Sequence, residues 1–244
     1  RLLDGENPSE QIELAPPTEE TIRGIDWHPR GKTALLVGDN GVMLRYVAED
    51  HSVNTVTGSA QLNGVDVAAV AWNAAGSVAY VGGEDGWIWA YHEGQDGQGV
   101  FELITESAGS DITGIACQEE QHVCAVTTET DGIALIDSNT NHTMYWIDGQ
   151  ERRWLGVNCA EPVFNRCVAI GEGRAIGSLG INIQQPELST LFTQIIPDLG
   201  GEFTYIHKRA PGETLISMAP FQLTAWDMNN GEAYEWVEYS DVVN

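Results

Sequence analysis

The segment Ile22 to Tyr46, IRGIDWHPRGKTALLVGDNGVMLRY, returns without a gap as VAAVAWNAAGSVAYVGGEDGWIWAY from Val67 to Tyr91. The shift of 45 residues carries Ile25 onto Val70, Trp27 onto Trp72, Gly31 onto Gly76, Gly38 onto Gly83, Gly41 onto Gly86 and Tyr46 onto Tyr91. Chance seldom aligns two tryptophans and three glycines at one offset. Each copy is a set of short apolar runs separated by glycine turns, which is one small antiparallel sheet. A sheet of that size buries its faces only by stacking on its neighbours, so the repeat demands an array.

The same period continues down the chain. Blades are expected at about residues 22–59, 65–107, 110–149, 152–197 and 201–239, each with four strands. Asn40-Gly41 and Asp85-Gly86 are hairpin turn pairs, because both central positions favour a positive φ. No helix-period segment of useful length interrupts the series. The expectation is an all-β, five-bladed β-propeller with four antiparallel strands per blade. Residues 1–21, RLLDGENPSEQIELAPPTEET, carry three prolines and read as an N-terminal arm. Within it EQIELA alternates as a strand would, suited either to closing the last blade or to reaching a partner.

The pattern V-x-x-V-A-W-N-x-x-G-x-x-x-Y-V-G-G-x-D-G-x-I-W-x-Y of Val67 to Tyr91 resembles the repeats of WD40-like and YVTN-type propellers. Ala225-Trp226-Asp227 resembles the tryptophan-aspartate end of a third strand. The likeness is clear over the first two blades and weak over the rest, and the Gly-His signature of WD40 repeats is absent. The resemblance implies that the first strand of each blade lines a central channel and the fourth lies outermost. It also implies a surface that presents itself to other molecules.

Charge narrows the partners. Asp and Glu number 36 against 11 Lys and Arg, a net charge of −25. Such a field repels nucleic acid and anionic membrane surfaces, and salt screens its self-repulsion, which suits a halophilic or marine setting. No apolar run approaches the roughly 18–20 residues of a transmembrane segment. A start at Arg1 rather than Met is expected of a processed or trimmed chain.

Cys117 and Cys159 stand where Trp27 and Trp72 stand in the first two blades. Cys117 with Cys124 and Cys159 with Cys167 each bracket a hairpin turn, which suits the cross-strand bridges Cys117–Cys124 and Cys159–Cys167. Blade-to-blade pairing of 117 with 159 and 124 with 167, or four buried thiols, are the other arrangements. A bridge would replace the lost indole and hold two strands together. Bridged, the protein matures outside the cytosol, in the periplasm, at the cell surface or in the medium. No cysteine spacing suits zinc, and the acidic turns lack the spaced oxygens of a calcium loop.

Candidate chemistry is sparse. Glycoside hydrolysis needs two carboxylates facing each other across a cavity, and Asp26, Asp66, Asp111 and Glu202 fall near channel strands. Nucleophilic catalysis lacks a G-x-S-x-G, and the six His are scattered over turns and strand ends. His28, before Pro29, reads as a local hydrogen-bonder. GEGRAIGSLG, from Gly171 to Gly180, reads as strand and turn rather than a phosphate loop. The better hint is aromatic: Trp87, Trp89 and Tyr91 alternate onto one face and make a ladder able to stack a sugar or anchor a partner. Tyr145-Trp146, Trp154, Tyr234 and Trp236 are similar and individually uninformative. Asn141-His142-Thr143 is a glycosylation sequon in a turn.

The sequence thus points to a non-enzymatic protein-interaction or structural subunit of an extracytoplasmic assembly, without cofactor or metal, whose partners are other protein subunits. A carbohydrate-binding propeller is the second reading and a carboxylate-lined glycoside hydrolase the third.

Overall fold

Val, Ile, Leu and aromatic residues alternate with small ones in these repeats, and Gly, Asn or Asp breaks each run. That pattern gives short strands and tight turns. The computed structural model describes residues 2–3, 11–12, 14–94, 99–105, 109–118, 121–147, 152–159, 165–196, 201–210, 213–219, 222–227 and 232–238. Blade one is β3 (Ile22–Trp27), β4 (Thr33–Gly38), β5 (Met43–Val47) and β6 (Ser52–Thr55), following the arm strands β1 (Leu2–Leu3) and β2 (Gln11–Ile12). Blade two is β7 (Val67–Trp72), β8 (Ala79–Gly83), β9 (Ile88–Glu93) and β10 (Gly99–Thr105). Blade three is β11 (Ile112–Cys117), β12 (Val123–Thr128), β13 (Ile133–Asp137) and β14 (Thr143–Ile147). Blade four is β15 (Trp154–Cys159), β16 (Arg166–Gly171), β17 (Ala175–Gly180) and β18 (Thr190–Ile195). Blade five is β19 (Glu202–Ala210), β20 (Glu213–Ala219), β21 (Gln222–Asp227) and β22 (Glu232–Glu238). Each blade is an antiparallel meander in chain order, so the fold is a five-bladed β-propeller. The Ala225-Trp226-Asp227 end lies on a third strand. Among the described arm residues, β2 pairs with β1 and not with a blade.

Every first strand carries the same irregularity. The register slips between Ile22 and Gly24, Val67 and Ala69, Ile112 and Gly114, Trp154 and Gly156, and Phe203 and Tyr205, and in β19 a second time between Lys208 and Ala210. Such a bulge bends and twists the strand. The first strands then lie against one another, β3 on β7, β7 on β11, β11 on β15 and β15 on β19. In blades one to four the residue after the bulge is small because the next strand arrives there. A Cβ on Gly24 would sit 3.0 Å from the Ala68 carbonyl oxygen, and one on Gly114 would sit 3.0 Å from the Gly156 Cα.

The core consists of the joints between blades. Leu35, Val37 and Met43 of blade one meet Val70, Trp72, Val81 and Trp89 of blade two. Ala69, Tyr80 and Ile88 then meet Ile112, Ile115 and Val126 of blade three. Each large aliphatic side chain so buried contributes about 1.5–3 kcal/mol. Polar staples sit at the edges of the joints. The left-handed turn residues Asn40 (φ 55°) and Asp85 (φ 54°) donate their N–H groups to Asp66 Oδ1 at 2.8 Å and Asp111 Oδ1 at 2.9 Å of the following blade. At the third joint the ion pair Arg153–Glu129, 2.8 Å, links blades four and three. His28 Nδ1 accepts the Arg30 N–H at 3.1 Å, so Nε2 carries the proton and donates to the Gly76 carbonyl at 3.0 Å.

The cysteines form the two cross-strand bridges Cys117–Cys124 and Cys159–Cys167. The register explains them. Trp27 pairs with Ala34 and Trp72 with Ala79, whereas at the same rung Cys117 pairs with Cys124 and Cys159 with Cys167. A large-small pair has been exchanged for a covalent one. In blade four Trp154, fully buried in the same cluster as Cys159 and Cys167, restores an indole to the joint, over the space that Gly177 leaves open.

The bridges close segments with sequence separations of 7 and 8 residues. Each should contribute about 2–2.5 kcal/mol by restricting the unfolded chain. Urea denaturation with and without reductant checks this: the midpoint should fall in reductant, and should not respond to reductant in the fourfold Cys→Ser variant.

Candidate functional site

The first strands of all five blades line a cavity of about 810 Å³. Its walls are uneven. On β7, Val70 and Trp72 are 6% and 5% exposed because blade one covers them, whereas the equivalent Ile25 and Trp27 on β3 are 52% and 43% exposed. Trp27 stands edge-on to Tyr46, ring centres 5.6 Å apart. At the other end of the series Tyr205, 60% exposed, occupies the position that is Gly24, Ala69, Gly114 and Gly156 in the other blades. Among the described residues, no strand packing of the kind that joins consecutive blades returns from β19 to β3. An apolar sheet face is therefore presented at the cavity.

The four acidic candidates do not come together. Asp26 lines the cavity, and among the described lining residues no second Asp or Glu faces it. Its Oδ2 accepts the Trp72 N–H at 2.7 Å, tying β3 to β7. Burial pushes its carboxyl up to about 6, against the backbone hydrogen bonds from Trp72 and Trp27, which pull it down. Asp66 and Asp111 cap the turns of the preceding blades, and Glu202 is exposed at the start of β19. The facing carboxylates of a glycosidase are not formed by these residues, because only one of them points into the cavity.

The aromatic ladder is core. Trp87 and Trp89 do stack, centres 5.6 Å apart and 12° between planes. Yet Trp89 is 3% and Tyr91 0% exposed, packed between blades one and two, with Tyr91 against Trp72 and Phe101. Trp87 is partly buried against the same cluster. Alternation places the three on one face, and here that face packs against the preceding blade.

A second cleft, of about 360 Å³, opens between blades two and three and is lined by Leu103, Ser110, Thr128, Met144 and the exposed Trp146. At its wall three side chains converge that the sequence shows no motif for. His92 on β9 and Glu102 on β10 lie diagonally across one strand pair, since Glu102 pairs with Ala90 and Val100 with His92. His142 comes from the turn before β14. Its Nε2 and that of His92 each lie 4.0 Å from Glu102 Oε2. Consecutive left-handed residues, Asn141 (φ 55°) and His142 (φ 58°), turn the imidazole toward blade two, where its Nδ1 meets the Tyr80 hydroxyl at 2.8 Å. Burial lowers the His142 pKa, Glu102 opposes that shift and His92 adds to it. The sequon residue Asn141 is exposed beside this cluster.

No protein-family model and no curated protein sequence matches the chain. Solved structures do. The chain superposes with a TM-score of 0.73 and 12% identity on the WD40 repeats of RRP9, over 93% of its own length and 66% of that chain. It superposes on U3-55K with a TM-score of 0.71 and 12% identity, over 93% of its length and 67% of that chain. It superposes on the β-propeller domain of Myceliophteria thermophila Cps50 (Swd1) with a TM-score of 0.72 and 12% identity, over 97% of its length and 78% of that chain. The chain thus spans about two thirds of the first two structures it matches, and its fold is a β-propeller of the WD40 type.

Asp26 gives the site a pH signature. Its folded pKa is raised from 3.8 to about 6, so the folded state holds the proton more tightly than the unfolded chain. The associated stability is full below about pH 4 and is lost as pH rises through about 6. Asp26→Asn keeps an acceptor for the Trp72 N–H and removes the charge. It should be more stable than the parent at pH 7.5 by about 1–2 kcal/mol, a rise in Tm of roughly 2–8 °C. At pH 4 the two melting curves should nearly coincide.

Proposed function

We propose that this protein is a non-enzymatic protein-interaction or structural subunit of an extracytoplasmic assembly, and that its partner seats on the exposed inner face of blade one. The observation that carries this is the contrast between Ile25 and Trp27 and their buried counterparts Val70 and Trp72. An exposed alternating face that carries Ile25 and ends in Trp27 is suited to a sheet or strand of another protein. WD40-type propellers usually serve as interaction scaffolds, which supports the reading. The two disulfides support an oxidising compartment, and no helix among the described residues is long and apolar enough to cross a membrane. With a net charge of −25, the surface steers basic partners and repels acidic ones, nucleic acid included.

A carbohydrate-binding reading is favoured by one observation, the exposed Trp146 beside Asn141 and Glu102 in the cleft between blades two and three. One experiment separates the two. Crosslinked complexes are recovered from native extract with the parent chain and with Ile25→Asp/Trp27→Ser, and both proteins are applied to a glycan array. A protein partner recovered by the parent and lost at least tenfold by the variant is the expected result. Equal recovery by both proteins removes the blade-one interface, and array binding that survives in the variant moves the assignment to the cleft.

A further inference from the structure

We propose that His92, Glu102 and His142 form a site for a divalent transition-metal ion of the zinc class, which clamps blade two to blade three. The nitrogen and oxygen donor atoms of the three residues all lie within 4.8 Å of one another. A tetrahedral ion at about 2.0–2.1 Å from each donor brings such atoms to roughly 3.4 Å apart. The remaining closure needs only rotation of Glu102, which is exposed, and of His92, which is half-exposed. His142 is the fixed member. Tyr80 lies in the same row of blade two as Ala90 and Glu102, and its hydroxyl oxygen is placed to accept the Nδ1 proton of His142. That hydrogen bond leaves the Nε2 lone pair directed at Glu102, the orienting arrangement typical of metal-bound imidazoles.

Two imidazoles and one carboxylate select against the hard cations, which prefer all-oxygen sites. Glu102 and His142 also line the 360 Å³ cleft, from which an ion could enter. A chain of this net charge also concentrates cations near its surface, so the test must separate one specific site from diffuse carboxylate binding.

The full chain, dialysed against chelator, is titrated with Zn²⁺ and with Co²⁺ by calorimetry, absorbance and thermal melting, with Mg²⁺ as the hard-cation control. The expected result is one tight equivalent per chain, a visible Co²⁺ band and a higher Tm with Zn²⁺. His142→Gln and Glu102→Gln should weaken this equivalent at least about 100-fold, and Tyr80→Phe about 10–100-fold. His92→Gln, on a half-exposed strand position, gives a second ligand variant if His142→Gln disturbs its turn, and circular dichroism verifies the fold of each. No tight equivalent in the parent, an affinity unchanged in His92→Gln and Glu102→Gln, or Mg²⁺ binding as tightly as Zn²⁺ would overturn the site.

Discussion

The fold depends on how closely the first strands of consecutive blades approach. That approach is possible because a bulge is followed by a residue with little or no side chain, Gly24, Ala69, Gly114 and Gly156 in turn. A larger residue at Gly114 would meet the backbone of Gly156 and Val157 at 3.0 Å. With the strands this near, the wider parts of the sheets can mesh, and indoles and aliphatic chains fill the joints. The staples follow from the same spacing, since Asp66 and Asp111 reach the turns of the preceding blades only while the inner strands stay in contact. Blade five breaks the pattern with Tyr205, at the position where, among the described residues, no further strand packs as the earlier ones do.

Much of this was legible in the sequence. The 45-residue shift shows the blade, its turns and the equivalence of Trp27, Trp72, Cys117 and Cys159. The bulge was not legible, because it is a property of pairing and no residue type marks it. The alanines opposite the tryptophans carry no signal of their own, although Ala34 and Ala79 sit at the rung where Cys124 and Cys167 stand in later blades. Asp66 and Asp111 were readable as acids near the channel. Their role as turn caps depends on which blade's turn lies beside them, and that is tertiary information.

The aromatic ladder and the histidine cluster fail in opposite ways. Trp87, Trp89 and Tyr91 share a face, as alternation says, but alternation does not say what covers that face. The equivalent Leu44 and Tyr46, also buried, were the better guide. His92, Glu102 and His142 come from two neighbouring strands and the turn of another blade. Their spacing along the chain therefore matches no ligand motif, and His142 is seen first as the middle of a sequon. Only the stacking of blades two and three brings the three together.

The exchange of Trp and Ala for a pair of cysteines divides the arc chemically. The inner hairpins of blades one and two are complete once their side chains pack, so the ribosome supplies everything they need. Those of blades three and four are complete only after an electron acceptor has removed two hydrogens from each pair of thiols. A newly made chain in a reducing setting is therefore half finished at a defined boundary between the second and third blades. Its maturation thus depends on the redox setting in which it folds.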